Sequence, residues 1–234
     1  MMFSRFSLLI LICLAVLSWG QEPFSGQPAR LPASAPLSLA LRQALQPGGI
    51  RILTFANGLE TPVCELWWTK AIATDQKAAG SAESGYGSLR TGTLLGVLYF
   101  PTNNEDSQDQ ELRSGYYTMR YAQIYHTAID EDTTAGSDFV ALSPVAFDVQ
   151  AQEILPLDTL MQFSRRASRT SQPALIRLVQ VNPAYKKLPA VVTDDSGQCI
   201  LQVGLWGKGN RGQVLPGVRL AILLVTAPKE SGGS

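Results

Sequence analysis

Apolar residues recur along the chain in short runs, and polar, glycine-rich or proline-rich segments separate these runs. Within several runs the apolar and polar side chains alternate, a period that is typical of strands with one buried face. The intervening turn signals include Asn57-Gly58, which strongly favours a hairpin. We therefore predict strands at positions 50–56, 63–69, 93–100, 115–125, 139–142, 174–181, 198–205 and 218–226.

This succession of short strands predicts an all-β fold, mainly an antiparallel β-sandwich with Greek-key-like connections. The clearest exception is a short helix near residues 158–169, with a continuous apolar stripe and Asp158 as its N-cap. Leu37 to Leu45 fits either a short helix or an edge strand. We place one β-sandwich domain at residues 37–228, followed by a flexible tail at 229–234.

The stretch Leu112 to Ala122 is predicted to form a tight turn and then a central strand. Tyr117, Met119 and Tyr121 share one face of that strand, which we expect to be core. The opposite face, which carries Tyr116, Thr118, Arg120 and Ala122, is expected to be partly wet. The spacing of Leu112, Gly115 and Tyr117 resembles a tyrosine corner, in which the hydroxyl bonds back to nearby backbone.

The first twenty residues have the pattern of a secretory signal peptide. Arg5 supplies the charged region, Leu8 to Leu17 are continuously apolar, and Ser18 and Gly20 are small residues at a cleavage site. An uncleaved N-terminal anchor is the alternative. Residues 21–36 contain four prolines and are predicted to be a linker outside the core. The protein is therefore expected to be secreted or periplasmic.

Charge narrows the range of partners. The chain has 19 basic and 19 acidic residues and contains no basic block. This balance argues against nucleic acid as a partner. After removal of the leader, no other apolar run is long enough to span a membrane.

Two cysteines follow the predicted leader, Cys64 and Cys199. Each is predicted to lie on the apolar face of its strand, so the pair is either one long-range disulfide or two buried free thiols. With no nearby histidine, the two thiols do not suffice for a zinc site.

The residues offer few catalytic motifs. His126 is the only histidine, no Gly-x-Ser-x-Gly elbow is present, and we predict no catalytic residue or organic cofactor. The run from Gly207 to Gly212 matches a dinucleotide fingerprint in letters, but Pro216-Gly217 follow where a helix would be needed, so we predict a loop between strands. Arg165, Arg166 and Arg169 fit either an anion site or complementation of the helix dipole, and the dipole explanation is the simpler one.

Two acidic loops are the remaining candidates for chemistry. Their carboxylates, Asp106 and Asp109 in one loop and Asp130 and Asp132 in the other, are candidate calcium ligands, although neither loop has EF-hand spacing. The same carboxylates suit a glycoside hydrolase if aromatic platforms lie nearby. Trp67, Trp68 and Trp206 are the available tryptophans of the domain.

Three motifs, at Thr93 to Leu98, Gly115 to Tyr121 and Asp138 to Pro144, resemble those of a group of uncharacterised secreted bacterial β-sandwich proteins. The resemblance implies an exported sandwich and no particular activity. Members of that group carry an Asp-His pair where this chain has Tyr125-His126, so it does not assign a role to His126.

Taken together, these patterns favour an exported, non-catalytic β-sandwich that binds an envelope or extracellular component, either a protein or a glycan. The alternative from a different class is a secreted hydrolase that uses loop carboxylates, with calcium as a further option. A purely structural envelope protein is a third hypothesis.

Overall fold

The computed structural model of the chain describes residues 23–56, 59–74, 86–124, 137–151, 154–208 and 214–225. The predicted leader and C-terminal tail lie outside these ranges. The strands are β1 (Phe24–Arg30), β2 (Gly48–Ala56), β3 (Leu59–Trp68), β4 (Ile72–Ala73), β5 (Leu94–Phe100), β6 (Asn104–Glu105), β7 (Glu111–Leu112), β8 (Gly115–Ile124), β9 (Ser137–Pro144), β10 (Leu175–Arg177), β11 (Ala190–Thr193), β12 (Cys199–Lys208) and β13 (Val214–Val225). The helices are α1 (Leu39–Ala44) and α2 (Leu157–Ser168).

The strands form two main sheets, and the predicted all-β sandwich is confirmed. A seven-stranded antiparallel sheet has the order β1-β2-β3-β5-β8-β9-β10, and a smaller sheet has the order β11-β12-β13 with β4 paired in parallel to β12. Neighbours in the larger sheet follow one another in chain order. That sheet is therefore a meander and not the expected Greek key, which would return a fourth strand beside the first.

The main core lies between the two sheets. Tyr117, Met119 and Tyr121 of β8 point into it and are buried, as the alternation of β8 predicts. Cys64 of β3 and Cys199 of β12 belong to the same apolar cluster. Burial of a large apolar side chain contributes about 1.5–3 kcal/mol, so this interface between sheets is a main source of stability.

Most of the opposite face of β8 is also buried, and the prediction of a partly wet surface was wrong for Thr118, Arg120 and Ala122, while Tyr116 is half-buried. Thr118, Arg120 and Ala122 are all 0% exposed. The reason is a second covering layer: apolar clusters against this face include Leu41 of α1 and Leu160 of α2. The sequence of β8 alone does not reveal that distant segments cover it.

Arg120 is tolerated in this buried layer because every side of its guanidinium group has a partner. Its Nε and Nη2 atoms donate to Asp148 at 2.6 and 2.8 Å. Nη1 donates to the carbonyl of Gly92 at 2.7 Å, and Nη2 also donates to the carbonyl of Gln150 at 2.6 Å. Asp148 accepts a further bond from Thr118 Oγ1 at 2.6 Å. The ion pair therefore fastens the segment after β9 to the sheet.

The predicted tyrosine corner is confirmed. The Tyr117 hydroxyl donates to the backbone carbonyl of Arg113 at 2.6 Å. Gly115 between them has a φ of 154°, which residues with a β-carbon rarely adopt. The hydroxyl thus closes the turn that starts β8.

Residues 21–36 were predicted to be a linker, and that prediction was wrong. Phe24–Arg30 form β1, which pairs with β2 along its whole length, and Phe24 and Ala29 are buried. Proline is compatible with a strand at the edge of a sheet, where its missing N–H can face away from the neighbouring strand. Pro28 occupies such a position in β1.

The two sheets meet at a seam where the chain leaves β10. The Val179 N–H donates to the carbonyl of Ala221 in β13 at 2.9 Å. The Tyr86 hydroxyl donates to the Val179 carbonyl at 2.6 Å and accepts from the Ala221 N–H at 3.1 Å. Burial raises the pKa of Tyr86 to about 12, so the neutral hydroxyl is the form that holds the seam.

Both helices lie on the outer face of the larger sheet. α2 matches the predicted helix, except that Pro156 is its N-cap and Asp158 lies within the first turn. For the ambiguous segment at 37–45 the structure shows a helix, α1, whose Ser38 hydroxyl accepts from the Leu41 N–H. In the part of the chain that the structure describes, no helix is both long and apolar enough to cross a bilayer.

Candidate functional site

The calcium candidate Asp106 is buried and has a structural function. Its Oδ1 atom accepts from the backbone N–H groups of Gln108 and Gln110 at 2.8 and 3.0 Å. Its Oδ2 atom accepts from Gln110 Nε2 at 2.9 Å and from the Leu175 N–H at 3.0 Å. A calcium ion would have to replace these four bonds. The carboxylate instead joins the β6–β7 hairpin to β10.

The other predicted ligands are not brought together with Asp106 in the described structure. Asp109 is exposed at the tip of the hairpin, whereas Asp130, Asp132 and His126 lie outside the described residues. Among the residues that are described, no group of three or more acidic, cysteine or histidine side chains could hold a metal ion. The calcium hypothesis and the hydrolase hypothesis stay predictions.

Of the three tryptophans that were candidates for a glycoside hydrolase's aromatic platforms, one is exposed. Trp67 is 0% exposed and Trp68 is buried in the core between the sheets. Trp206 is 61% exposed. Trp67 and Trp68, two of the three candidate platforms, therefore cannot contact a substrate, because β3 is covered on both faces.

Cys64 and Cys199 are free thiols in the structure. Burial raises the pKa of Cys64 well above its usual value, and it raises the pKa of Cys199 to about 12. The thiolate is the reactive form of cysteine, so neither side chain is suited to nucleophilic chemistry. Of the two options from the sequence, the structure shows the buried thiols.

The glycine-rich run joins adjacent antiparallel strands. β12 ends at Lys208 and β13 begins at Val214, where these two residues pair. A strand therefore follows the run, and a nucleotide phosphate would lack the helix N-terminus that it needs.

The best candidate for a binding site is a cleft at the C-terminal end of α2. We call it the arginine cleft. It has a volume of 540 Å³ and is lined by Phe147, Arg165, Arg166, Arg169 and Thr170. All three arginines are exposed. Arg165 and Arg166 lie in the last turn of α2, and Arg169 follows directly as its C-cap.

Local interactions fix the shape of the arginine cleft. Arg165 Nε donates to the carbonyl of Ser171 at 2.8 Å. Arg169 is the C-cap, with φ 60° and ψ 22°, and its N–H donates to the Arg165 carbonyl. The guanidinium carbon of Arg166 lies 5.7 Å from the centre of the Phe147 ring, within the range of a cation–π contact.

The β6–β7 hairpin contacts the arginine cleft through Gln110. Thr170 Oγ1 donates to the side-chain oxygen of Gln110, and Gln110 Nε2 donates to the carbonyl of Pro173 at 3.0 Å. The same Nε2 group contacts Asp106. Asp106 therefore contributes to the cleft by positioning Gln110.

The arginine cleft is electropositive, although the whole chain has a formal net charge of zero. Within the described ranges, the ion pairs are Arg51–Glu65 and Arg120–Asp148, so none of the three arginines has a carboxylate partner there. Guanidinium groups bind carboxylates and phosphates through paired hydrogen bonds. The cleft can therefore bind an anionic group.

Exposed apolar side chains lie next to the cleft. We call this set the apolar rim, and it consists of Phe147 and Val149, which are 49% and 43% exposed. Val149 is close to α1 because its carbonyl accepts from Ser38 Oγ at 2.8 Å. Exposed apolar side chains beside polar groups are typical of interaction surfaces.

The sequence contained the arginine signal, but not the rest of the site. Three arginines at the end of a helix were explained by the helix dipole. The two additional observations, an aromatic ring from residue 147 and the lack of acidic partners, depend on how distant segments fold together. An arginine cluster without an acidic residue at helical spacing was the signal that pointed to an anion site.

Comparison of the chain with protein-family models, with curated proteins and with solved structures found no match.

Proposed function

We propose that the protein is an exported, non-catalytic binding module, and that its arginine cleft docks an acidic segment of another envelope protein. The observation that carries the proposal is the convergence of three exposed arginines and Phe147 around one cleft. The N-terminal sequence pattern supports export.

The chemistry of the cleft favours a protein partner over a neutral glycan. Arginine and aromatic residues are enriched at the centres of protein interfaces, where they contribute much of the binding energy. The apolar rim would contact apolar side chains of the partner, while the arginines pair with its carboxylates. A neutral glycan would leave the three guanidinium groups without an anionic partner.

The residues assigned to hydrolysis do not favour a catalytic function. Both oxygens of Asp106 are occupied by hydrogen bonds from its own chain. Trp67 and Trp68 are buried and cannot stack on a substrate.

Site-specific photocrosslinking tests the proposal. The photoreactive residue p-benzoylphenylalanine replaces Phe147 in one variant and Leu59 in a control variant. Leu59 is 70% exposed and belongs to the far end of β3, so both probes are accessible but only the first lines the cleft. Both variants are produced in the cell that makes the protein, irradiated, and analysed by mass spectrometry.

We expect a specific protein adduct from position 147, attached within an Asp- and Glu-rich segment. The adduct should disappear when Arg165, Arg166 and Arg169 are changed together to glutamine. Equal adducts from positions 59 and 147, or an adduct that persists after the charge is removed, would contradict the proposal.

A further inference from the structure

In the larger sheet, the β6–β7 hairpin covers the edge strand β10. The Leu175 N–H in β10 donates to Asp106 Oδ2 at 3.0 Å, and the Leu175 carbonyl accepts from the Ser107 N–H at 2.9 Å. The Arg177 N–H donates to Ser107 Oγ at 2.8 Å. The hairpin thus satisfies the groups that an eighth strand would use. Proteins commonly block sheet edges in such ways, because open edges bind other strands.

At the opposite edge, formed by β1, the described residues provide no comparable cover. The Phe55 N–H donates to the Pro23 carbonyl at 2.9 Å, and the Leu31 N–H donates to the Pro47 carbonyl. In an antiparallel ladder these bonds fix which residues face the neighbour. Odd-numbered residues of β1 therefore bond to β2, whereas the backbone groups of Phe24, Gly26, Pro28 and Arg30 point away from it.

These outward groups are available for a further strand. Among the described residues, β1 pairs with β2 only, and no other backbone or side-chain group bonds to the outer edge at these four positions. The edge offers three N–H donors and four carbonyl acceptors, because proline lacks a donor.

An apolar groove runs beside this open edge. It has a volume of 460 Å³ and lies between β1 and β11 of the smaller sheet. Its apolar side chains are Phe24, Pro28, Ile50, Pro189 and Val191. Side chains of an added strand would alternate between this groove and solvent.

We propose that the outer edge of β1 binds an extended segment of another polypeptide as an eighth strand, with apolar side chains at alternate positions filling the groove. Main-chain hydrogen bonds provide affinity in such strand addition, and the pockets for alternate side chains provide specificity. This site is separate from the arginine cleft and does not depend on the function proposed above.

A second copy of this chain fits the edge less well. In an antiparallel pair of β1 strands centred on Gly26, Phe24 of one copy would face Pro28 of the other. Because proline has no N–H, the Phe24 carbonyl would have no donor, and this would happen at both ends of the pair. The Phe24 side chain is already buried in its own core, so it would not fill the groove of the other copy.

Amide hydrogen exchange followed by NMR tests the proposal on the unmodified protein. The probe is a peptide selected on the protein from a random library displayed on phage. In the free protein we expect slow exchange at Ser25, Gln27 and Ala29 and fast exchange at Phe24, Gly26 and Arg30. Peptide binding should slow exchange at the second set by tenfold or more, while the first set serves as an internal control.

A pair of variants on β11 tests the groove. Val191 lines it, whereas Val192 is on the opposite face of the same strand. Val191→Glu places a charge in the groove and should weaken peptide binding by about tenfold or more, and Val192→Glu should not. If Val191→Glu does not fold, the hydrogen-exchange measurement on the unmodified protein still tests the proposal.

Three results would overturn the proposal. The first is that the selected peptides lack apolar residues at alternate positions. The second is that the peptides bind without slowing amide exchange at Phe24, Gly26 and Arg30. The third is that the free protein forms a concentration-dependent dimer in which those amides already exchange slowly. The last result would assign the edge to a second copy.

Discussion

The buried ion pair beneath the helical layer gives the sharpest test of what holds this fold together. Asp148→Ala would remove the carboxylate that pairs with the Arg120 guanidinium group, which is 0% exposed. Removing one partner from a buried ion pair typically costs about 3–5 kcal/mol, since an uncompensated charge stays in the interior. A domain of ordinary stability has about 5–15 kcal/mol in total, so the variant should lose a large share.

Urea denaturation followed by tryptophan fluorescence measures this loss, because Trp67 and Trp68 are buried in the folded state. With a slope of about 2–3 kcal/mol per molar urea, the midpoint should fall by about 1–2 M. A cycle with Arg120→Met and the double variant separates the pair from its surroundings. We expect a coupling energy of about 2 kcal/mol or more.

The chain contains a matched control for burial. Arg51 and Glu65 also form an ion pair with an N–O distance of 2.6 Å, but the Arg51 side chain is 45% exposed. Exposed pairs contribute about 0–1 kcal/mol, so the same cycle on Arg51 and Glu65 should give a small coupling. A coupling at this exposed pair that equals that of Arg120 and Asp148 would refute the argument that burial sets the cost.

Four further predictions follow from other contacts. Tyr117→Phe removes the hydroxyl of the tyrosine corner and should lower the free energy of unfolding by about 1 kcal/mol in urea denaturation, while an unchanged midpoint would contradict the corner's contribution. Asp106→Ala leaves the N–H groups of Gln108, Gln110 and Leu175 without this acceptor and should cost about 2–4 kcal/mol. Adding calcium should leave the melting temperature of the wild type unchanged, and a calcium-dependent rise that Asp106→Ala abolishes would show that this carboxylate binds the ion. Cys64 and Cys199 should resist alkylation in the native protein and should both be labelled after denaturation without reductant, whereas no label would reveal a disulfide. Burial raises the pKa of Tyr86 to about 12, while an exposed tyrosine titrates near about 10, so the unfolded state loses this proton first. The free energy of unfolding should therefore fall by about 1.4 kcal/mol per pH unit between these values, and Tyr86→Phe should show a shallower fall; identical slopes would contradict the assignment.

The sequence was informative wherever a local pattern sufficed. The alternation in β8 identified Tyr117 and Met119 as core, and Gly115 identified the turn before them. The apolar stripe of α2 placed that helix to within one residue at each end. These features depend on neighbours close in the chain, so a single sequence contains them.

The errors arose where distant segments meet. Arg120 has a charged side chain and was expected to face water, but Asp148 lies 28 residues away and neutralises it inside the fold. The prolines before β2 indicated a linker, although an edge strand accepts proline where the missing N–H faces outward. The anion-site interpretation of Arg165, Arg166 and Arg169 was not favoured for the same reason, since Phe147 reaches Arg166 through tertiary packing alone.

The Tyr86 seam also constrains the order in which the protein can fold. Its hydroxyl contacts Ala221, which is 135 residues further along the chain, and Val179, which is 93 residues away. The seam therefore cannot close until β13, the last described strand, has been synthesised. Contacts between such distant residues slow folding, because the chain loses the conformational entropy of a long loop before the stabilising contact forms. Under the export proposed above, late closure of the seam would keep the chain unfolded until its last described strand has crossed the membrane.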